Sequence, residues 1–254
     1  EAVTVAKTLC QRAPAFLRVN IRKTTIEKAQ TILSGDGIQT VKHPSIITAL
    51  RVTEGQNKIK NCMAYKDGFV EIQDASSQAS VIDLPRDSNL KILDYCCGSG
   101  GKSLALDAWT KGKIFAYDIS PSRSFNLKTR AERSNAQITE ICKPINEMFD
   151  VIFCDVPCSG SGSWRRDPDG KWKLNAQSWQ NLLDTQIEVL NEAKELVKTD
   201  GILIYATCSV LLSENYKQLE KFCSINPEFE IEKAHQFLPS DLGDGFFYGF
   251  LKKK

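Results

Sequence analysis

Two cysteines in this 254-residue chain stand in settings where a thiol can act as a nucleophile. Cys158 lies in Asp155-Val156-Pro157-Cys158-Ser159-Gly160-Ser161-Gly162-Ser163-Trp164-Arg165-Arg166-Asp167-Pro168-Asp169, and Cys208 in Thr207-Cys208-Ser209-Val210. Each follows a short apolar run with strand character, Asp150–Asp155 and Gly201–Cys208, which brings two thiols and the Asp155 carboxylate to neighbouring strand ends. That set suits methylation of a pyrimidine. Carbon 5 of cytosine is a poor nucleophile, but a thiolate adding to C6 while an acid hydrogen-bonds N3 turns C5 into an enamine-like carbon that attacks a methyl sulfonium. The C5 proton and the thioether must then leave, a step that a second polarisable group assists. A free thiol ionises at about pKa 8.5, so the reacting cysteine needs activation by its surroundings. Cys10, Cys62, Cys142, Cys154 and Cys223 read as core filler or inert surface. Cys96-Cys97 and Cys154…Cys158 lack the C-x-x-C spacing of a structural zinc site, so no metal is expected.

A glycine-rich turn, Asp94-Tyr95-Cys96-Cys97-Gly98-Ser99-Gly100-Gly101-Lys102-Ser103, follows another apolar run and leads into the helical pattern Leu104–Trp109. Such a turn lets backbone N–H groups approach an anion or the polar end of a cofactor at a helix N-terminus. A P-loop would match Gly101-Lys102-Ser103 but requires Gly where Cys96 stands, and the dinucleotide fingerprint fails at Ser103. The third reading is S-adenosylmethionine, with its methionine end at this loop and its ribose on Asp118, 20 positions after Gly98.

These residues need a scaffold that gathers them. The runs Lys91–Asp94, Lys113–Asp118, Asp150–Asp155 and Gly201–Cys208 alternate with helical patterns. In one of these patterns Trp179, Leu182, Leu183, Ile187, Leu190, Ala193 and Val197 recur at helical spacing, closed by Asp200-Gly201. The alternation predicts an α/β fold, a doubly wound Rossmann-like domain with a mostly parallel sheet over residues 71–254, ending in strands at Phe229–Glu232 and Gly245–Leu251. Ligands of such sheets bind beyond the carboxyl ends of the strands, where Asp94, Asp118, Asp155 and Cys208 converge. Ahead of it, a helix over Thr24–Leu33 and extended stretches at Phe16–Asn20 and Ile46–Val52 form a small α/β unit over residues 1–70. Composition, 42% hydrophobic and 25% charged, excludes collagen-like and wholly disordered chains. The formal net charge of +2 gives no global argument about nucleic acid, but residues 1–80 carry 11 basic against 7 acidic side chains. No run approaches the roughly 20 apolar residues that span a bilayer, so no membrane partner is expected. Nine irregularly spaced cysteines point to a reducing cytoplasm, Glu1 in place of Met reads as a processed or trimmed start, and a monomer is assumed.

Together these residues resemble the Sun-type (NSUN) RNA cytosine-5 methyltransferases, in particular the bacterial 16S ribosomal RNA branch. Asp94–Lys102 looks like the family's D-x-C-x-x-x-G-G-K, Asp155–Asp169 like its D-x-P-C-S-G-x-G-x-x-R-R-x-P-D, and Thr207–Asn215 like its T-C-S-x-x-x-x-E-N. Asp244-Gly245-Phe246-Phe247, Gln73–Gln78 and Leu17-Arg18-Val19-Asn20 are similar to further family motifs. The resemblance implies that Cys208 is the nucleophile, that Cys158 assists product release, and that Asp155 holds the base at N3. It implies that Cys96, Cys97, Gly98, Ser99, Gly100, Gly101, Lys102, Asp118 and Asp155 bind S-adenosylmethionine, and that the small unit is an RRM-like RNA-binding domain. No acid near Ile138–Lys143 is assigned to the adenine side, and Gly98-Ser99 stands where the family commonly has Ala-Pro. The implied substrate is RNA, most of all ribosomal RNA. Arg165, Arg166, Lys171 and Lys173 beside Trp164 and Trp172 are expected to offer it phosphate contacts and stacking surfaces, and Arg12, Arg18, Arg22 and Lys23 are either a second RNA-facing patch or a solvated face. Two other functions compete: a P-loop-like nucleotide hydrolase and a catalytically silent RNA-binding protein.

Overall fold

Side-chain alternation along the first strand divides the labour of the N-terminal unit. The structure is a computed structural model that describes residues 2–86 and 89–254. After helix α1 (Ala2–Leu9) come β1 (Ala15–Val19), α2 (Ile26–Gly35), β2 (Gln39–Lys42), β3 (Ala49–Glu54), α3 (Met63–Lys66) and β4 (Val70–Ile72). The four strands form one antiparallel sheet in the order β2-β3-β1-β4. Leu17 and Val19 of β1 face α2, in a core with Ala29, Leu33, Leu50, Val52 and Val70. Phe16 and Ala49 face the other way, into the core of the C-terminal half, as the two-residue period of a strand requires. Thr25 caps α2, accepting from Lys28 N at 3.3 Å, which starts this helix two residues later than the sequence pattern suggests. Ile72 still pairs with Leu17, so the expected boundary after residue 70 cuts β4, and the antiparallel sheet ends at Ile72.

The second sheet has seven strands. Helix α4 (Ala75–Ile82) leads to β5 (Lys91–Asp94), α5 (Gly101–Trp109), β6 (Lys113–Ala116), α6 (Pro121–Ser124), α7 (Leu127–Ser134) and β7 (Ile138–Glu140). The chain then returns through β8 (Phe149–Asp155), α8 (Gly170–Lys173), α9 (Ala176–Lys194), β9 (Val197–Thr207), α10 (Tyr216–Ile225), β10 (Phe229–Phe237) and β11 (Phe246–Lys253). The order is β10-β11-β9-β8-β5-β6-β7, with β7 through β9 parallel and the β10–β11 hairpin antiparallel at one edge. After β5 the chain winds outward one way and after β8 the other, so the switch point, where such sheets bind ligands, lies between Asp94 and Asp155.

One face of this sheet packs on α4 and α5, burying Ala79, Leu106 and Trp109 against Ile92, Val151, Phe153 and Phe250. The other packs on α9 and α10, with Leu190, Ala193, Leu219 and Phe222 against Leu93, Ile152, Leu203 and Tyr205. A capping box between Asn175 and Ser178 starts α9. Its end departs from the sequence pattern: α9 stops at Lys194, and Val197 is the first residue of β9. Asp200 has φ 59° within β9, so Asp200-Gly201 bends a strand instead of closing a helix.

Candidate active site

The loop after β5 is shaped by backbone that only glycine adopts without strain. Gly98 and Gly100 have φ of 48° and 83°, and a Cβ on Gly100 would meet Leu127 Cδ1 at 2.2 Å. Gly98 N donates to Asp118 Oδ2 at 2.9 Å, and Ser120 N donates to Asp118 Oδ1 at 2.9 Å, tying the loop to the turn after β6. The first N–H groups of α5 have no partner within the helix and form a polar cradle beside it. Asp94 is fully buried; Oδ2 accepts from Ser103 Oγ at 2.6 Å and Oδ1 has no partner among the described residues. Burial pushes this carboxyl up to about 7, against the Ser103 hydrogen bond and with the charge of Asp155 adding to the rise.

Lys102 is turned inward. Its Nζ donates to Ser77 Oγ at 2.6 Å and to Asp155 Oδ2 at 3.0 Å, and sits over the Phe246 ring 4.5 Å from its centre. A P-loop lysine reaches phosphate, so this orientation counts against the nucleotide-hydrolase reading. Glu140 lies within the segment where the sequence reading assigned no acid. It is exposed at the end of β7, paired with Ala116 of β6, and close enough for its charge to help raise the buried Cys97 thiol. The signal that finds it is position, the last residue of the parallel strand beside the one that leads to Asp118. The four carboxylates Asp94, Asp118, Glu140 and Asp155 thus follow four neighbouring strands, a setting for a ligand that carries positive charge.

Cys158 and Cys208 come within 3.3 Å, Sγ to Sγ. They differ in acidity. When Cys208 is the thiolate Cys158 donates to it, and that bond, with burial and the negative charges of Cys208 and Glu214, pushes Cys158 well up. The same bond brings Cys208 down despite burial, aided by Ser163 and by the positive charge of Lys102. Glu214, fully buried, holds the two cysteine loops in place: it accepts from Ser159 N at 2.8 Å, Ser159 Oγ at 2.5 Å, Gln186 Nε2 at 3.1 Å and Ser209 Oγ at 2.5 Å. The backbones touch as well, Gly162 N donating to Cys208 O at 2.9 Å. Over Cys208 opens a cavity of about 370 Å³ lined by Phe16, Ile72, Asp74, Asp155, Arg166 and Phe246 among others, so both sheets wall it. A larger cleft of about 1190 Å³ lies at the amino ends of β6 and β7, around Trp109 and Lys113; Arg22 lines it, and none of the expected catalytic or cofactor residues does.

The basic residues divide differently from expectation. Arg165 is buried, with Nε donating to Asp244 Oδ1 at 2.6 Å and Nη2 to the carbonyls of Ser240 and Gly243, so it offers no phosphate contact. Arg166 binds Asp244 and Asp74. The partners are carboxylates distant in sequence, not the neighbouring Asp167 and Asp169. Arg18 is buried and faces neither RNA nor solvent, whereas Arg22 stays exposed and Lys23 half-buried, each tied down by a partner within the chain. Arg18 donates to Gly101 O, Arg22 pairs with Asp107 at 2.5 Å, and Lys23 donates to the carbonyls of Asp67 and Arg133. Lys171 and Lys173 remain exposed beside Trp172, which is 80% exposed.

Comparisons with known proteins give the family and the fold. The chain is 32% identical over 269 residues to ribosomal RNA small subunit methyltransferase B of Pasteurella multocida, covering 95% of this chain and 59% of that protein. It is 32% identical over 263 residues to the Klebsiella pneumoniae protein of the same name, covering 96% of this chain and 60% of that one. The chain therefore spans about 60% of the length of the curated relatives it matches. Its fold is that of a methyltransferase homolog protein from Pyrococcus horikoshii, with a TM-score of 0.86 at 22% identity over 100% of this chain and 90% of that one. The family model for 16S rRNA methyltransferase RsmB/F matches residues 81–252, the part that holds the glycine-rich loop, both cysteine motifs and the β10–β11 hairpin. By that match the chain belongs to the 16S rRNA methyltransferase RsmB/F family.

Proposed function

We propose that this chain transfers a methyl group from S-adenosylmethionine to C5 of a cytosine in RNA, with 16S ribosomal RNA as the substrate that its family favours. The observation that carries the reading is the unequal thiol pair: Cys208 lowered and Cys158 raised, 3.3 Å apart, under a cavity that also holds Asp155. The cofactor fits the residues present. The unpartnered Oδ1 of buried Asp94 and the carboxylates of Asp118, Glu140 and Asp155 match a ligand with ammonium and sulfonium charges, and the glycines from Gly98 to Gly101 leave room for it. Residues 96–102 hold its methionine end, Asp118 its ribose and Glu140 its adenine side. When bound it supplies an electrophilic methyl group.

The cysteines and Asp155 then divide the work. Cys208 Sγ adds to C6 of the flipped base, and the electron pair of the C5–C6 double bond moves toward N3. A proton held between Asp155 and N3 moves onto N3 as charge gathers there, and the Lys102 ammonium 3.0 Å away stabilises the carboxylate left on Asp155. C5 then takes the methyl group. Once Cys208 is a thioether it no longer accepts the Cys158 hydrogen as a thiolate does, so the largest cause of the raised Cys158 pKa is gone. Cys158 can then lose its proton to solvent and as the thiolate take the C5 proton; the C5–C6 double bond reforms, the Sγ–C6 bond breaks to return the Cys208 thiolate, and the N3 proton returns to Asp155. Trp172 with Lys171 and Lys173 supplies stacking and phosphate contact for the RNA.

The test is transfer of labelled methyl from S-adenosylmethionine to unmodified 16S ribosomal RNA, followed by nuclease digestion. The label is expected in 5-methylcytidine and absent with Cys208→Ala; label in another nucleoside, or undiminished transfer by that variant, overturns the reading.

A further inference from the structure

The loop from Cys96 to Lys102 is held from behind by the small sheet, at two points. Arg18 of β1 is buried, and its Nη1 donates to Gly101 O at 2.8 Å and to Gln73 Oε1 at 2.5 Å. Glu71 of β4, also buried, pairs with Arg130 and Arg133 of α7, and Arg130 Nη1 donates to the carbonyl of Ser99 at 2.6 Å and to its hydroxyl at 2.9 Å. Two carbonyls of the seven-residue loop are therefore fixed by guanidinium groups that answer to the antiparallel sheet. Burial brings Arg18 down to about 10, with Glu71 the largest counterweight, so it stays charged in the physiological range while most of its water is lost. A charge desolvated this far is costly unless its partners are fixed, and the partners here are a backbone oxygen and a side chain beside the loop. The interface does not need this arrangement for cohesion alone. Arg22 crosses from the same unit to Asp107, near the far end of α5, and touches no residue of the loop.

We propose that Arg18 and Arg130 are positioning residues for the cofactor, which fix the carbonyls of Gly101 and Ser99 and so aim the Gly101 N–H between them at the ligand, the Gly100 N–H being bonded to Cys97 O within the loop. Cofactor affinity thereby depends on both sheets, although the family match covers only one of them. This rests on the S-adenosylmethionine reading above.

The test is calorimetric titration of the full chain with S-adenosylmethionine and S-adenosylhomocysteine, for wild type, Arg18→Lys, Arg130→Gln and Arg22→Gln. Loss of a charged hydrogen bond to the loop is expected to weaken both ligands roughly tenfold or more in Arg18→Lys and Arg130→Gln. Arg22→Gln is expected to lower Tm while leaving both affinities within about twofold. In turnover, KM for the cofactor rises in the first two variants while KM for RNA and kcat hold, a split that a general loss of folded enzyme does not produce. Unchanged affinity in Arg18→Lys and Arg130→Gln, or an equal loss in Arg22→Gln, overturns the proposal. If wild type binds neither ligand, it is the cofactor reading itself that falls.

Discussion

The hydrogen bond between Cys158 and Cys208 moves their acidities apart, Cys208 down and Cys158 up, and makes Cys208 the better nucleophile. Cys158→Ala removes the donor, so the pH midpoint for alkylation of Cys208 by iodoacetamide is expected to move up and its rate at neutral pH to fall, as read by peptide mass spectrometry. An unchanged midpoint would mean that Ser163 and Lys102 activate Cys208 alone. Asp94 gives a second prediction. Its folded value of about 7 lies above that of an unfolded carboxyl, so the folded chain holds a proton that the unfolded chain has lost. Stability on this account falls as pH rises from about 4 to 7, and Asp94→Asn is expected to stabilise the free protein above pH 7. A cation bound beside Asp94 favours its ionised form, so S-adenosylmethionine binding near pH 7 is expected to release protons and to tighten as pH rises through that value. Calorimetry in buffers of different ionisation enthalpy measures the release, and Asp94→Asn removes it. The motifs named Cys158, Cys208, Asp155, Asp118 and the glycine loop because their chemistry is local. Arg18 and Glu214 also stand in motifs, but their roles stayed hidden because their partners lie far along the chain, Gly101 for Arg18 and Ser159 for Glu214. Arg165 was misread for the same reason, its carboxylate being Asp244.

At the scale of elements, most of the parallel strands were legible because each is a short apolar run ending in a polar or reactive residue. Helix α9 was legible in its middle and not at its end. Val197 continues the apolar spacing from Ala193, and a buried strand opens with the same kind of residue, so periodicity does not separate the two. The loops that carry the cysteines depend on close backbone approach. A Cβ on Gly162 would meet Gly245 O at 2.1 Å, backbone against backbone, with no flexible end to yield. Gly162→Ala is expected to cut methyl transfer by roughly tenfold or more through misplacement of Cys208, while cofactor affinity holds because the glycine loop lies on another strand end. Loss of affinity equal to the loss of rate would show that the two loops are not independent. In α9, Leu190→Ala empties a fully buried site and is expected to cost about 2–5 kcal/mol in urea unfolding.

Across the whole molecule the two sheets share a core. Phe16 and Ala49 of the antiparallel sheet lie in the same cluster as Ile92, Trp109 and Phe250, and α4 packs against α5, β1, β3 and β11 at the junction. An RRM-type sheet stacks bases on its open face, but here that face carries Phe16, Arg18 and Glu71 against the catalytic half, so base stacking there is excluded. Two units and their order are legible in the pattern of runs and turns, yet their docking is not, since apolar and charged residues on a strand look the same whether they meet solvent, RNA or another sheet. All four tryptophans lie in the unit of the seven-stranded sheet, at positions 109, 164, 172 and 179. Urea unfolding followed by their fluorescence and by far-ultraviolet circular dichroism is expected to give coincident curves, whereas an earlier dichroism transition would mean that the small unit melts alone. The central claim, that Cys208 attacks the base and Cys158 releases it, is tested most directly by denaturing electrophoresis of enzyme incubated with substrate RNA and S-adenosylmethionine. Cys158→Ala is predicted to accumulate a covalent protein–RNA adduct, and Cys208→Ala and the double variant to form none; an adduct that persists in Cys208→Ala would contradict the account.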